Sequence, residues 1–175
     1  MKRYFSVLTV ITILFGVPAI SKTFSTNRVD SKQDWSDFIE NNPTQCWIVS
    51  APSRTKAYRN GKSVKVNRSE IQLFAIFEPA KNIYGQISFT SGYPFKSGSS
   101  VKVSIGSSEH VLSQTDGEWA WPKSSRENEE LLNSFRRGAK ALISGVSSKG
   151  TRTKDTFSLL GFSAAYGEAQ KRCGT

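Results

Sequence analysis

Glu70-Ile71-Gln72-Leu73-Phe74-Ala75-Ile76-Phe77-Glu78-Pro79 sets Ile71, Leu73, Ala75 and Phe77 at every second position and stops at a proline. Side chains along a strand alternate between the two faces of a sheet, so this spacing predicts a strand with one packed face. The same period returns further on. Ile87 and Phe89 alternate with Gln86, Ser88 and Thr90, and Val101, Val103 and Ile105 alternate with Lys102 and Ser104. Upstream, Cys46-Trp47-Ile48-Val49-Ser50-Ala51 is apolar on both faces and ends at Pro52, the pattern of a buried strand. Asn60-Gly61, between Ala57-Tyr58-Arg59 and Lys62-Ser63-Val64, is a two-residue hairpin signal, because both residues tolerate positive φ. Gly106-Ser107 and residues 147–150 read as further hairpin turns.

Two helices interrupt the strands. Ser124 can cap the first, with Glu127 three residues on. Its first turn holds Glu127, Glu129 and Glu130, Arg136 and Arg137 occupy its last turn, and Gly138 ends it. Leu131, Leu132 and Phe135 form its apolar stripe. The second follows Gly161 and sets Phe162, Ala165, Tyr166, Ala169 and Cys173 on one helical face. Many short strands, turns rich in Gly, Asn and Ser, and helices only as connectors predict a mainly β fold, a β-sandwich with two short helices, one of them C-terminal. A small barrel is the alternative. Residues 34–173 contain no repeat and no linker, and read as one domain; residues 22–33, polar and unpatterned, read as a flexible N-terminal arm.

The chain has 175 residues, with 24 Lys+Arg against 14 Asp+Glu, one His and two Cys. Eleven Phe, four Trp and five Tyr supply enough apolar area to argue against disorder. Met1-Lys2-Arg3, an apolar run over residues 4–17 and small residues at Ala19 and Ser21 describe a secretory signal peptide cut after Ser21. The run is shorter than the ~20 apolar residues of a membrane span, so the mature form is expected to have no transmembrane anchor. Export changes how the cysteines read. Two of them in an oxidising compartment predict a Cys46–Cys173 disulfide, and the inward helical face on which Cys173 falls suits that pairing. Two lone Cys and one His lack the paired spacing of a zinc site, so no metal and no cofactor is expected.

Cys46-Trp47-Ile48-Val49-Ser50-Ala51-Pro52, Gly92-Tyr93-Pro94-Phe95, Glu118-Trp119-Ala120-Trp121-Pro122 and Lys154-Asp155-Thr156-Phe157-Ser158-Leu159-Leu160-Gly161-Phe162, followed by Cys173, resemble the invasion-associated locus B family of alphaproteobacteria. The likeness runs from about Trp35 to Cys173. It implies an exported protein of the Gram-negative envelope, an immunoglobulin-like β-sandwich and a link to host-cell invasion. It brings no catalytic residues to carry over.

Residues 54–68 hold Arg54, Lys56, Arg59, Lys62, Lys65 and Arg68, no acid, and Tyr58. On the Asn60-Gly61 hairpin, Lys56 and Tyr58 share one face and Arg59 falls on the other. Such a ribbon can hold an anionic envelope or host-surface component by charge, or simply keep an edge hairpin from pairing with other chains. Nucleic acid fits poorly with export. Asp116 and Glu118, beside Trp119 and Trp121, are the pair an envelope glycan hydrolase would need. The plainer account puts both Trp side chains in the core and a turn at Asp116-Gly117. His110 has no ligand or nucleophile partner at useful spacing. The sequence therefore points to an exported, non-enzymatic binding or accessory module, periplasmic or secreted, whose partner is an anionic envelope component or an envelope or host protein.

Overall fold

The computed structural model of the protein describes residues 27–42 and 44–174. The predicted signal peptide, residues 1–21, lies outside the described residues. Two antiparallel sheets and two helices make a sandwich-like arrangement. The first sheet holds β1 (Arg28–Lys32), β2 (Trp35–Asn41), β3 (Thr44–Ser50), β6 (Gln72–Glu78), β7 (Ile83–Thr90), β11 (Trp119–Trp121) and β10 (Gln114–Asp116), in that spatial order. The second runs β5 (Lys62–Ser63), β4 (Arg54–Arg59), β13 (Arg152–Ser158), β12 (Lys140–Val146), β8 (Val101–Ile105) and β9 (Ser108–Leu112). Helix α1 spans Ser125–Arg137 and α2 spans Phe162–Cys173.

The period-two segments fall where the sequence puts them. Leu73, Ala75 and Phe77 of β6, Ile87 and Phe89 of β7, and Val101, Val103 and Ile105 of β8 all face the core. Asn60 and Gly61 have φ of 49° and 75°, the pair of positive values that a two-residue hairpin of this hand requires. The Ser124 hydroxyl caps α1 by accepting the Glu127 N–H at 3.3 Å.

Residues 28–32 depart from the flexible arm expected over residues 22–33. They form β1, paired with β2 through Ser31 opposite Ser36 and Lys32 opposite Trp35. An edge strand needs backbone partners on one side only, so it shows no apolar alternation. Its charges, with Lys32 paired to Asp30 at 2.7 Å, suit an edge that must not recruit another chain. The turn out of β1 also meets Gly161. A side chain there would run into the Lys32 carbonyl, and its φ of 89° favours glycine.

Trp119 and Trp121 correct a second expectation. They lie on the outer face of the first sheet, with Trp119 39% exposed, and the inward position between them is Ala120. The core tryptophan is Trp35, fully buried, edge-on to Phe162 at 5.0 Å between centroids, its indole N–H donating to the Ser158 carbonyl. Phe162 also meets Phe135 of α1 at 5.1 Å and Tyr166 at 5.6 Å, so one ring joins both helices to the core. The outer face of β3 is half-buried rather than fully enclosed: Trp47 stacks on Phe38 of β2 with the planes 3° apart.

Asn128 of α1 closes the edge of β7. Its carbonyl oxygen accepts the Ile87 N–H at 2.9 Å and its amide donates to the Gly85 carbonyl at 3.0 Å. β11 pairs with β7 only at Phe89 and Thr90, so these two backbone groups need a side-chain partner. Cys46 and Cys173 are joined, 127 residues apart in sequence, and tie the end of α2 to β3. Close by, Asp37 is 3% exposed and neither carboxylate oxygen has a hydrogen-bond partner among the described residues. Burial, and then the Asp30 charge, push its pKa up to about 6, against the pull of Lys32 and Arg172; Glu168 adds to the rise.

Two predictions follow from this end of the molecule. Replacing both Cys46 and Cys173 by Ser should lower stability by about 4–5 kcal/mol through the closed loop it opens, read from urea unfolding of oxidised wild type and variant. For Asp37, the folded pKa lies above the unfolded value of about 3.9, so the folded state takes up the proton between the two. Its contribution is then most favourable below pH 4 and is lost as pH rises through 6. Asp37→Asn should therefore raise stability at pH 7 by on the order of 2–3 kcal/mol, with the gain shrinking toward pH 4. Equal gains at both pH values would refute this.

Candidate anion-binding surface

The antiparallel register fixes which cations of the second sheet share a face. Residues directly opposite one another lie on the same side, and Ala57, Thr153, Ile143 and Val103 face inward. Their neighbours must then face out. Across the strands, Lys56 stands opposite Lys154, Lys154 opposite Ser144, and Ser144 opposite Lys102, which makes one continuous row. In the flanking rows, Tyr58 stands opposite Arg152, Arg54 opposite Thr156, and Lys140 opposite Ser158. The outer face thus carries Arg54, Lys56, Lys102, Lys140, Arg152 and Lys154, all exposed. The acid on this side is Glu109 of the edge strand β9, 3.7 Å from Lys102, with both side chains more than half exposed. A pair this open is worth little.

The six cations singled out in the sequence divide accordingly. Arg54 and Lys56 belong to this face. Arg59 and Lys62 stand opposite each other on the other side of the hairpin, and Lys65 is exposed in the strap that follows β5. Arg59 also donates through Nε and one Nη to the Thr151 hydroxyl, at 3.3 and 2.8 Å. Arg68 is a correction: it is not available to an external anion. Its side chain is 7% exposed, two Nη groups donate to the Asp155 carboxylate at 2.7 Å each, and Nε donates to the Ser91 carbonyl. The guanidinium also lies over the Tyr93 ring at 5.0 Å. Burial pushes the Asp155 carboxyl up and the two Arg68 donors oppose that. The contact is the buried, two-pronged pairing that a guanidinium makes with a carboxylate.

The sequence reading missed Arg152, Lys154, Lys102 and Lys140. Arg152-Thr153-Lys154-Asp155-Thr156-Phe157 alternates charged with inward-facing residues, which could have placed the first two on an outer face. The register that sets them beside Lys56 is not visible in the chain itself.

Asp116 and Glu118 gain no support as a glycosidase pair. They flank Gly117 in an open turn; Asp116 is exposed, and the Glu118 carboxylate accepts the Ser69 hydroxyl at 3.0 Å. The strand that follows carries its tryptophans on the outer sheet face. His110 of β9 shares a 2.8 Å hydrogen bond with Ser134 of α1, and burial lowers its pKa. Among the described residues no His, Cys, Asp and Glu cluster could hold a metal, and no helix is long and apolar enough to cross a membrane.

A family model for invasion associated locus B proteins matches residues 39–170. The chain belongs to the Invasion associated locus B (IalB) family. The crystal structure of invasion associated protein B from Bartonella henselae is similar to it, with a TM-score of 0.52 over 81% of this chain and 95% of that one, at 12% identity. At that identity the likeness speaks for the fold alone. No curated protein matches this chain. Family membership agrees with the two-sheet layout and with a disulfide of the kind that persists outside the cytosol.

The buried pair behind the basic face offers a direct test. Arg68→Met should destabilise the protein by about 3–5 kcal/mol by stranding the Asp155 charge, and Arg68→Met with Asp155→Leu should recover most of that loss, both read by urea unfolding.

Proposed function

We propose that the protein is an exported, non-enzymatic binding module of the bacterial envelope that engages an anionic envelope or host-surface polymer through the outer face of its second sheet. The reading rests on family membership, on the disulfide, and above all on the position of Lys154. Lysines on an edge hairpin guard against edge-to-edge pairing, which accounts for Arg54, Lys56, Arg59 and Lys62. Lys154 and Arg152 sit on β13, between β4 and β12, and Lys102 sits on β8, between β12 and β9. Central strands have no edge to guard.

Like charges directly opposite on a sheet are destabilising, and Lys56 and Lys154 are such a pair. A linear polyanion crossing the strands meets a cation on successive or alternate strands, about 5 or 10 Å apart. Binding of this kind depends on charge and weakens as salt rises.

Purified lipopolysaccharide, titrated at about 50 and 300 mM salt, tests the proposal. Wild type should bind and weaken at the higher salt. Lys56→Glu with Lys154→Glu should weaken low-salt binding by about tenfold or more, and Arg59→Glu, Lys62→Glu with Lys65→Glu by less. Salt-insensitive binding, or equal loss in the two variants, would count against the sheet face. A protein partner captured with unaltered affinity by the Lys56/Lys154 variant would favour the accessory role instead.

A further inference from the structure

The tips of two hairpins meet on the side of the second sheet away from the basic row. One is the Asn60-Gly61 turn and the other spans residues 147–150 between β12 and β13. Arg59 joins them through its two donors to Thr151. Beneath this clasp lies a concavity of about 340 Å³, whose walls include Arg59, Val66, Tyr93, Pro94, Ser148 and Lys149. That volume falls at the lower end of small-ligand sites, of order 300–1,000 Å³.

The floor is held firmly. The Tyr93 hydroxyl shares a 2.6 Å hydrogen bond with Thr153, its ring is covered by the Arg68 guanidinium, and Phe95 meets it edge-on at 5.5 Å. Val66, 38% exposed, and Pro94 add apolar wall.

The charge here is one-sided. Arg68 is neutralised by Asp155, whereas Arg59 and Lys149 have no acidic partner among the described residues and no carboxylate lines the concavity. Arg59 spends Nε and one N–H of an Nη on Thr151. Its guanidinium keeps three N–H donors, including one on each Nη, which form the parallel fork that matches a carboxylate. A bare sulfate or phosphate would use the cations but leave Tyr93, Val66 and Pro94 without a partner. A neutral sugar would use the walls and leave the fork empty. A ring that carries a carboxylate uses both, and Ser148 and Asn67 line the same concavity as partners for its hydroxyls.

We propose that this concavity binds a single uronic acid residue, its carboxylate on Arg59 and Lys149 and its ring against Tyr93, Val66 and Pro94. The site is separate from the basic row on the sheet's outer face and stands or falls without it. Glucuronate and galacturonate, titrated separately into ¹⁵N-labelled protein, should shift the amides of Val66, Tyr93, Ser148, Lys149 and Thr151 saturably with at least one of the two. Galactose and sulfate should bind at least tenfold more weakly. Arg59→Gln should weaken uronate binding about tenfold, and Lys149→Gln, at an exposed hairpin tip, should weaken it severalfold. Lys56→Glu with Lys154→Glu should leave it unchanged. Absence of saturable shifts with both uronates, equal affinity for galactose or sulfate, or full affinity in both Arg59→Gln and Lys149→Gln would overturn the proposal. So would shifts confined to Lys56, Lys154 and Lys102.

Discussion

The Arg68–Asp155 pair is the constraint on which the basic face and the hairpin concavity depend. Asp155 is fully buried on β13, a position that a carboxylate occupies only with a charged partner at hand. Arg68 comes from the strap between β5 and β6, 87 residues away in sequence, and meets it with two donors. That contact draws the strap across the sheet. It also fixes which way β13 faces: with Asp155 inside, Lys154 on one side and Thr156 on the other must lie outside. The same guanidinium covers Tyr93, which Thr153 and Phe95 also contact. One ion pair thus sets the facing of the basic row and the floor of the hairpin concavity.

The opposite end is organised by covalent and apolar contacts. Cys173 closes the last turn of α2 against β3, and Phe162 opens the helix against Trp35 and Phe135. A helix held at both ends cannot swing away from the first sheet, and Asp37 stays enclosed beneath it. Burial, with no hydrogen-bond partner among the described residues, raises the pKa of that acid, a cost borne by the folded state at neutral pH. Packing around a few large rings, Trp35, Phe135, Phe162 and Tyr166, holds this region together.

The sequence made much of the fold legible because the informative signals are local. Alternation in residues 71–77, 87–89 and 101–105, the Asn60-Gly61 dipeptide and the Ser124 cap each need only a few neighbouring residues to be read. The Cys46–Cys173 bond was legible because two cysteines leave one pairing and the α2 periodicity turned Cys173 inward. What the sequence hid is long-range or one-sided. β1 is an edge strand without alternation, and Trp119-Ala120-Trp121 alternates in the opposite sense to the one its size suggests, with the small residue inside. The division of the six hairpin cations was equally hidden. Arg68 is set apart from Lys65 by Asp155, the Ser91 carbonyl and the Tyr93 ring within its reach, which is a fact of tertiary packing.

The two outer faces of the sandwich are chemically unlike, and that difference has an electrostatic consequence. On the first sheet, Phe38, Trp47, Val49, Phe74, Ile76, Trp119 and Trp121 share the outer side by register, and Glu40 and Asp116 lie at its margins. Aromatic neighbours at cross-strand spacing cover one another, as Trp47 covers Phe38 and Trp119 meets Phe74 at 5.5 Å, so most of this face is half-buried without another layer. Lysines at the same spacing repel and extend into solvent. The molecule therefore presents charge on one broad side and apolar rings on the other. In front of a negative surface a body with this distribution is turned before it touches, because the field acts on the cationic side over roughly a Debye length, about 8–10 Å at physiological salt.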